Sequence, residues 1–308
     1  MLSGQRRQRM ETKTNSENGE RRGMRMQNFE IIRPGNLDQA LLAIEDSSGV
    51  PLAGGTDLLV RIKNKLLSPE KIVDLSGINE LAAIEEAGDY IVMGAMATHQ
   101  QVVESPITSK YLPLLAQGCA TVGSPQIRNA GTLGGNIMNA SPAADSIPPL
   151  VALGARVILN SAAQKREMVL DDFITGPGRT QILPGELLTE VVVKKMRPGE
   201  RFKYKKLGQR KALAISIAGC AVKMEYDPAA GRCSNPRVAF GSVSPVVKRS
   251  SELERLLAAS KLDDRGIQEI AARAREFCSP ISDIRASAEY RREMCASLLF
   301  EVLSELIN

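Results

Sequence analysis

Two short stretches carry residue types at a spacing that could do chemistry. "VPLAGGTDLLV" (50–60) sets Gly54-Gly55 between two apolar runs, and "RNAGTLGGNIMNASPAAD" (128–145) repeats the device with Gly134-Gly135. A backbone N–H binds a phosphate oxygen when no side chain blocks the approach, and glycine provides both the approach and the unusual dihedrals. A helix opening directly after such a loop adds a positive end. Ala53-Gly54-Gly55-Thr56-Asp57 before an apolar helix meets both requirements, and Gly131-Thr132-Leu133-Gly134-Gly135-Asn136 meets the glycine part. Either loop alone reads equally as a tight turn; the pair suggests two loops gripping one ligand. Neither is a GxGxxG or a GxxxxGK[ST], so the Rossmann and P-loop readings fail. "TGPGRT" (175–180) lacks the third glycine and reads as a plain turn.

Other chemistries are poorly supplied. Five widely spaced cysteines without a CxxC, and one histidine, argue against zinc and against an iron–sulfur cluster on this chain. The cysteines read as reduced core residues of a cytoplasmic protein. His99, in "GAMATHQQV", reads as a structural hydrogen-bonding residue at a helix start. No acid, base or nucleophile stands out as catalytic. The net charge of +5 over 308 residues invites a nucleic-acid reading, but residues 1–26 hold seven Arg or Lys against three Glu, which leaves the body nearly neutral. Trp is absent and aromatics make up 4%, so platforms for base stacking are scarce. Residues 1–26 read as a disordered basic tail without the apolar segment of a secretory signal, with Met24 or Met26 the expected start of the folded protein. No apolar run reaches the roughly 20 residues of a membrane span.

The elements that must position the loops follow in order. "NFEIIRPGNLDQALLAIED" reads as strand, Pro-Gly turn and a helix capped by Asn36; "GVPLAGGTDLLVRIKNKLL" repeats that order with a helix from about Thr56. "KIVDLSGI" is a strand, and "AAIEEAGDYIVMGAM" a hairpin turning at Gly88-Asp89. "THQQVVES" and "KYLPLLAQGCATV" are helical, residues 143–153 form a helix, and "ARVIL" and "LLTEVVVKKM" are strands. After Pro198-Gly199 the character changes to a meander of antiparallel strands followed by long amphipathic helices, an α+β unit.

"PLAGGTDLLV" and "IRNAGTLGGNIMNASPAADSIPPLVALGA" closely resemble the two FAD-binding motifs of the flavoprotein subunit of molybdenum hydroxylases, the family of xanthine dehydrogenase and carbon monoxide dehydrogenase. The resemblance runs from about residue 27 to the C-terminus. It implies an α+β chain: a two-lobed FAD-binding domain of the vanillyl-alcohol-oxidase-like (PCMH) type at 27–197, divided near 80, then a C-terminal domain at 198–308 with an antiparallel sheet and helices. It implies that Leu52, Ala53, Gly54, Gly55, Thr56, Asp57 and Leu58, with Thr132, Leu133, Gly134, Gly135 and Asn136, wrap the pyrophosphate of a noncovalent FAD with main-chain N–H groups. Asp145 matches the family aspartate that hydrogen-bonds the cofactor; by itself it reads as a helix N-terminal charge. Lys206, in "FKYKKLGQRKALAIS", matches a lysine near the flavin ring; by itself it is a solvated member of a basic run. Leu188 matches an apolar residue at the cofactor, or is plain strand core. The resemblance further implies a molybdopterin-binding large subunit and a [2Fe–2S] small subunit as partners, with electrons leaving through FAD to an external acceptor. A self-sufficient reductase of the UDP-N-acetylenolpyruvoylglucosamine reductase type is the alternative.

Overall fold

A computed structural model of the chain describes residues 28–45, 48–210 and 212–308; the expected tail at 1–26 lies outside them. Strands β1 (Glu30–Ile32), β2 (Gly49–Leu52) and β3 (Lys71–Asp74) form a small parallel sheet in the order β1-β3-β2. Parallel pairing needs a crossover between strands. Helices α1 (Leu37–Ile44) and α2 (Leu58–Lys63) supply it, and α1 is capped as expected, the Asn36 side chain accepting from the Gln39 N–H at 3.0 Å. A small core of Ala40, Leu41, Ile44, Val73, Leu75, Ile78 and Leu81 closes beneath this sheet.

The second sheet is antiparallel: β4 (Ile84–Ala87), β5 (Tyr90–Gly94), β6 (Arg156–Asn160), β7 (Lys165–Val169) and, after the hairpin β8 (Ile174–Gly176) and β9 (Arg179–Thr180), β10 (Leu187–Lys194). Its order is β4-β5-β10-β6-β7. The strand β10 lies at the centre, so its run of Leu and Val is buried on both faces. The expected turn at Gly88-Asp89 joins β4 to β5. Helices α3 (His99–Glu104), α4 (Pro106–Tyr111), α5 (Pro113–Ala120), α6 (Pro125–Ala130), α7 (Leu133–Asn139) and α8 (Ile147–Leu153) sit between β5 and β6, and the short α9 (Leu170–Phe173) follows β7. "KYLPLLAQGCATV" is thus two helices, because Pro113 cannot continue α4 and instead begins α5.

A third sheet meanders as β11 (Glu200–Leu207), β12 (Ala218–Asp227), β13 (Arg232–Gly241) and β14 (Lys248–Arg249). It is backed by α10 (Ser251–Ala259), α11 (Asp264–Arg273) and α12 (Ala288–Ile307) over its own core, which includes Val222, Val238, Leu299 and Leu303. All five cysteines are free and buried, as expected. Every residue of α8 is buried, and the helix wedges between the large lobe and this third sheet. A Cβ on Gly241 would meet Pro148 Cγ at 2.8 Å, and one on Gly118 would meet Pro149 Cγ at 2.6 Å. Among the described residues no helix is long and apolar enough to cross a membrane.

Candidate functional site

The first glycine loop leaves the C-terminal end of β2, whose Leu52 pairs with Asp74 of β3. Gly55 has φ +70°, the left-handed region, so the chain reverses there and enters α2 two residues later than its sequence suggests. The second glycine pair is not a loop. Thr132 caps α7, its Oγ1 accepting from the Gly135 N–H at 3.1 Å, so Gly134 and Gly135 lie in the first helical turn. Gly134 is needed for packing: a Cβ there would sit 2.5 Å from Ala95 Cβ.

The two segments touch. A Cβ on Gly54 would fall 1.7 Å from the Ala130 carbonyl oxygen, a contact that backbone cannot relieve by rotating a side chain. Beside this contact lies a cavity of about 350 Å³, lined by Ala53 to Leu58 from one side and by Gly131, Thr132, Gly135 and Asn136 from the other. Leu52, Leu133 and Gly134 do not line it. Arg61 adds a cation at its rim, 4.0 Å from Asp57.

The two sides differ in what they offer. Among the described residues no hydrogen bond takes up the N–H groups of Ala53, Gly54, Gly55, Thr56, Asp57 or Leu58. The amides of the second segment are committed inside the protein: Leu133 to Ala97 O and Gly134 to Ala95 O, each at 2.8 Å, and Asn136 to Thr132 O at 2.9 Å. A symmetrical wrap by main-chain N–H groups therefore does not hold for Leu133 and Gly134. Their donors fasten α7 to the end of β5, so that of this helix start Thr132, Gly135 and Asn136 line the cavity. The Ser146 hydroxyl donates to Asn136 Oδ1 at 2.7 Å, which leaves the Asn136 amide NH₂ as the donor not engaged.

His99 lines the same cavity and is 2% exposed. It begins α3 behind a capping box between Thr98 and Gln101. Its backbone N–H donates to Gly131 O at 3.0 Å, but its ring forms no hydrogen bond and Nδ1 is sealed without a partner. The expected structural hydrogen bond thus belongs to the main chain. Burial, with the nearby Arg128 guanidinium, lowers the His99 pKa to about 4, so the ring is neutral at pH 7. Arg61 and Asn139 are cavity residues that the motif reading passed over, and it gave His99 only a structural role. The signal for His99 was available: it is the single histidine, and it precedes the second motif in a strand-to-helix turn.

Asp145 and Lys206 are brought to each other and not to the cavity between the loops. Lys206 Nζ donates to Asp145 Oδ2 at 2.6 Å and to Thr121 O at 3.0 Å, and the Tyr204 hydroxyl donates to Asp145 Oδ1 at 3.3 Å. The two side chains are 10% and 8% exposed, so Lys206 is not a solvated lysine. Burial pushes the Asp145 pKa up to about 6, against the opposing pull of Lys206 and Tyr204. Leu188 is packed in the core, opposite Leu159 of β6, and contributes nothing to the cavity.

Residues 27–194 match the family model described as the FAD binding domain in molybdopterin dehydrogenase, and residues 203–306 that of the CO dehydrogenase flavoprotein C-terminal domain. The chain is 32% identical over 280 residues to the glyceraldehyde dehydrogenase medium chain of Sulfolobus acidocaldarius, covering 90% of this chain and 98% of that one. It is 31% identical over 278 residues to the carbon monoxide dehydrogenase medium chain of Hydrogenophaga pseudoflava, covering 90% and 96%. Among solved structures, carbon monoxide dehydrogenase from Hydrogenophaga pseudoflava lacking the Mo-pyranopterin moiety of its cofactor is similar with a TM-score of 0.86 at 30% identity, over 91% of this chain and 97% of that one. Quinoline 2-oxidoreductase from Pseudomonas putida 86 gives 0.87 at 26% identity, over 92% and 98%.

Proposed function

This chain belongs to the FAD-binding medium subunits of the molybdenum hydroxylase family, an oxidoreductase subunit, and on that premise we propose that it relays electrons from [2Fe–2S] clusters on a small partner subunit, through FAD, to an external acceptor. A molybdopterin-binding large subunit is the proposed site of substrate oxidation. The observation that carries the cofactor half of this reading is the cavity lined on one side by the first loop, whose six N–H groups are unengaged, and on the other by the capped end of α7. A diphosphate needs donors without intervening side chains. The close contact of Gly54 with the Ala130 carbonyl, which leaves no room for a Cβ, supports this reading by holding the two segments together beside the cavity. FAD, when bound, supplies the exchange of one or two electrons. The chain's own residues bind and orient it: the amides of 53–58 and the side chains of Thr132 and Asn136 hold the diphosphate. We assign the buried Lys206–Asp145 pair, whose lysine also donates to Thr121 O next to the cavity residue Val122, to the flavin end. We divide the chain into units at 27–197 and 198–308, the second carrying the third sheet with a core of its own and adding Tyr204, Ala221, Ala239, Val246 and Val247 to the core of the large lobe.

The match of residues 203–306 to a CO dehydrogenase flavoprotein domain favours this reading over a self-sufficient reductase. Purification of the native assembly tests it. FAD, iron and molybdenum should copurify with this chain, and the isolated chain should bind FAD without oxidising any organic substrate. Substrate oxidation by the chain alone would overturn the proposal.

A further inference from the structure

We propose that the His99 imidazole is a direct ligand of the cofactor, donating a hydrogen bond from Nε2 to a pyrophosphate oxygen. The inference rests on the FAD reading above. Its geometry is that of a third element entering the cradle between the two glycine segments. A Cβ built on Gly131 would lie 3.4 Å from Thr56 Oγ1 and 3.5 Å from His99 Cδ2. The imidazole edge and the first loop's hydroxyl therefore flank one point at the contact of the two segments. The Ile127 carbonyl oxygen is nearer still, at 2.9 Å, so the absence of a side chain on Gly131 is what lets these groups crowd together.

The ring's own hydrogen bonding indicates which atom acts. A buried polar group without a partner is destabilising, and His99 has such a group in Nδ1. Nε2 also forms no hydrogen bond among the described residues, yet it is not sealed as Nδ1 is. A buried, neutral ring has one N–H to place. Placed on the sealed Nδ1, that N–H would meet no acceptor; placed on the unsealed Nε2, it is available to a ligand in the cavity that His99 lines. The flanking charges suit an anion there: Arg61 lines the cavity and Arg128 lies close enough to His99 to depress its protonation. The backbone of His99 is itself pinned to Gly131 O, so the ring is held in register with the second segment.

The single histidine makes the test direct. The full chain, prepared without a histidine tag and freed of flavin, is titrated with FAD and with ADP. In the native chain the imidazole ¹⁵N resonances should show the Nε2–H tautomer, and Nε2 should shift when either ligand binds. Gln places an amide nitrogen near the position of Nε2, whereas Asn reaches only as far as Nδ1. His99→Phe and His99→Asn should weaken FAD and ADP alike by about ten- to a hundredfold, the range for a hydrogen bond to a charged group, and His99→Gln should stay within about threefold of native. Unmoved imidazole resonances on saturation overturn the inference even if a variant fails to fold. So does native affinity in His99→Phe, or a loss confined to FAD with ADP unaffected. A native chain that binds no FAD at all would instead remove the FAD reading, and this inference with it.

Discussion

Single residues in this protein are held by opposing charges and close backbone contacts, and both make measurable predictions. Asp145→Asn leaves Lys206 buried at 10% exposure without its counter-charge. Breaking a buried pair in this way costs about 3–5 kcal/mol. Denaturant unfolding should show that loss, and Asp145→Asn combined with Lys206→Met should recover most of it. Recovery would fail if the carboxylate served only Tyr204. His99 supplies a pH test. Its pKa falls from about 6.5 unfolded to about 4 folded, so the unfolded chain takes up the proton first, and the group's stability contribution is lost as pH falls from about 6.5 toward 4. Asp145 acts in the opposite sense: its raised pKa of about 6 means that acidification from 6 toward 4 relieves the cost of its burial. Removing the histidine unmasks the difference. Between pH 7 and pH 5, His99→Gln should gain about 2 kcal/mol relative to the native chain, by linkage over that window. A pH-independent gap between the two would mean that the ring is not held neutral.

At the scale of elements, the site is the junction of two different helix starts. The α2 side ends a strand with a positive-φ glycine and offers unengaged amides; the α7 side is a capped helix whose amides fasten it to Ala95 and Ala97. Gly54→Ala and Gly135→Ala should therefore behave differently. The first drives a Cβ into the Ala130 carbonyl, forces the two segments apart and should abolish FAD retention. The second meets only Thr132 Oγ1, at 2.8 Å, and should retain the fold and part of the affinity. Equal flavin content in both variants, measured after desalting, would contradict this division. Thr132→Ala removes the cap of α7 and should lower stability by about 1 kcal/mol in denaturant unfolding.

For the whole molecule, the cofactor cavity bridges the small parallel lobe and the large antiparallel one, so ligand binding should stiffen their junction. Leu187 of β10, at the centre of the large sheet, packs into the small lobe's core and is a further tie between them. Ligand at a hundred times its Kd stabilises by about 2.7 kcal/mol. FAD at that excess should raise the melting temperature by roughly 4–5 °C on the size scaling of thermal unfolding. Acid precipitation should then release FAD into the supernatant. Colour that stays in the pellet would show a covalent flavin.

Much of this was legible in the sequence because it is local. The cap at Asn36, the hairpin at Gly88-Asp89, the strand at Leu187–Lys194 and the antiparallel meander are fixed by side chains acting on backbone a few residues away. The glycine pairs announced a cradle for the same reason: the missing side chains are visible in the sequence itself. The tertiary structure alone decided which amides remain unengaged. Leu133 and Gly134 are satisfied by carbonyls some 35 to 40 residues earlier, and no local pattern encodes that docking. Nor does spacing reveal that Lys206 meets Asp145 across 61 residues, or that burial keeps His99 neutral beside the cavity. Charge and hydrogen-bond state depend on what surrounds a group in space, and the chain acquires those surroundings only when its lobes close on one another.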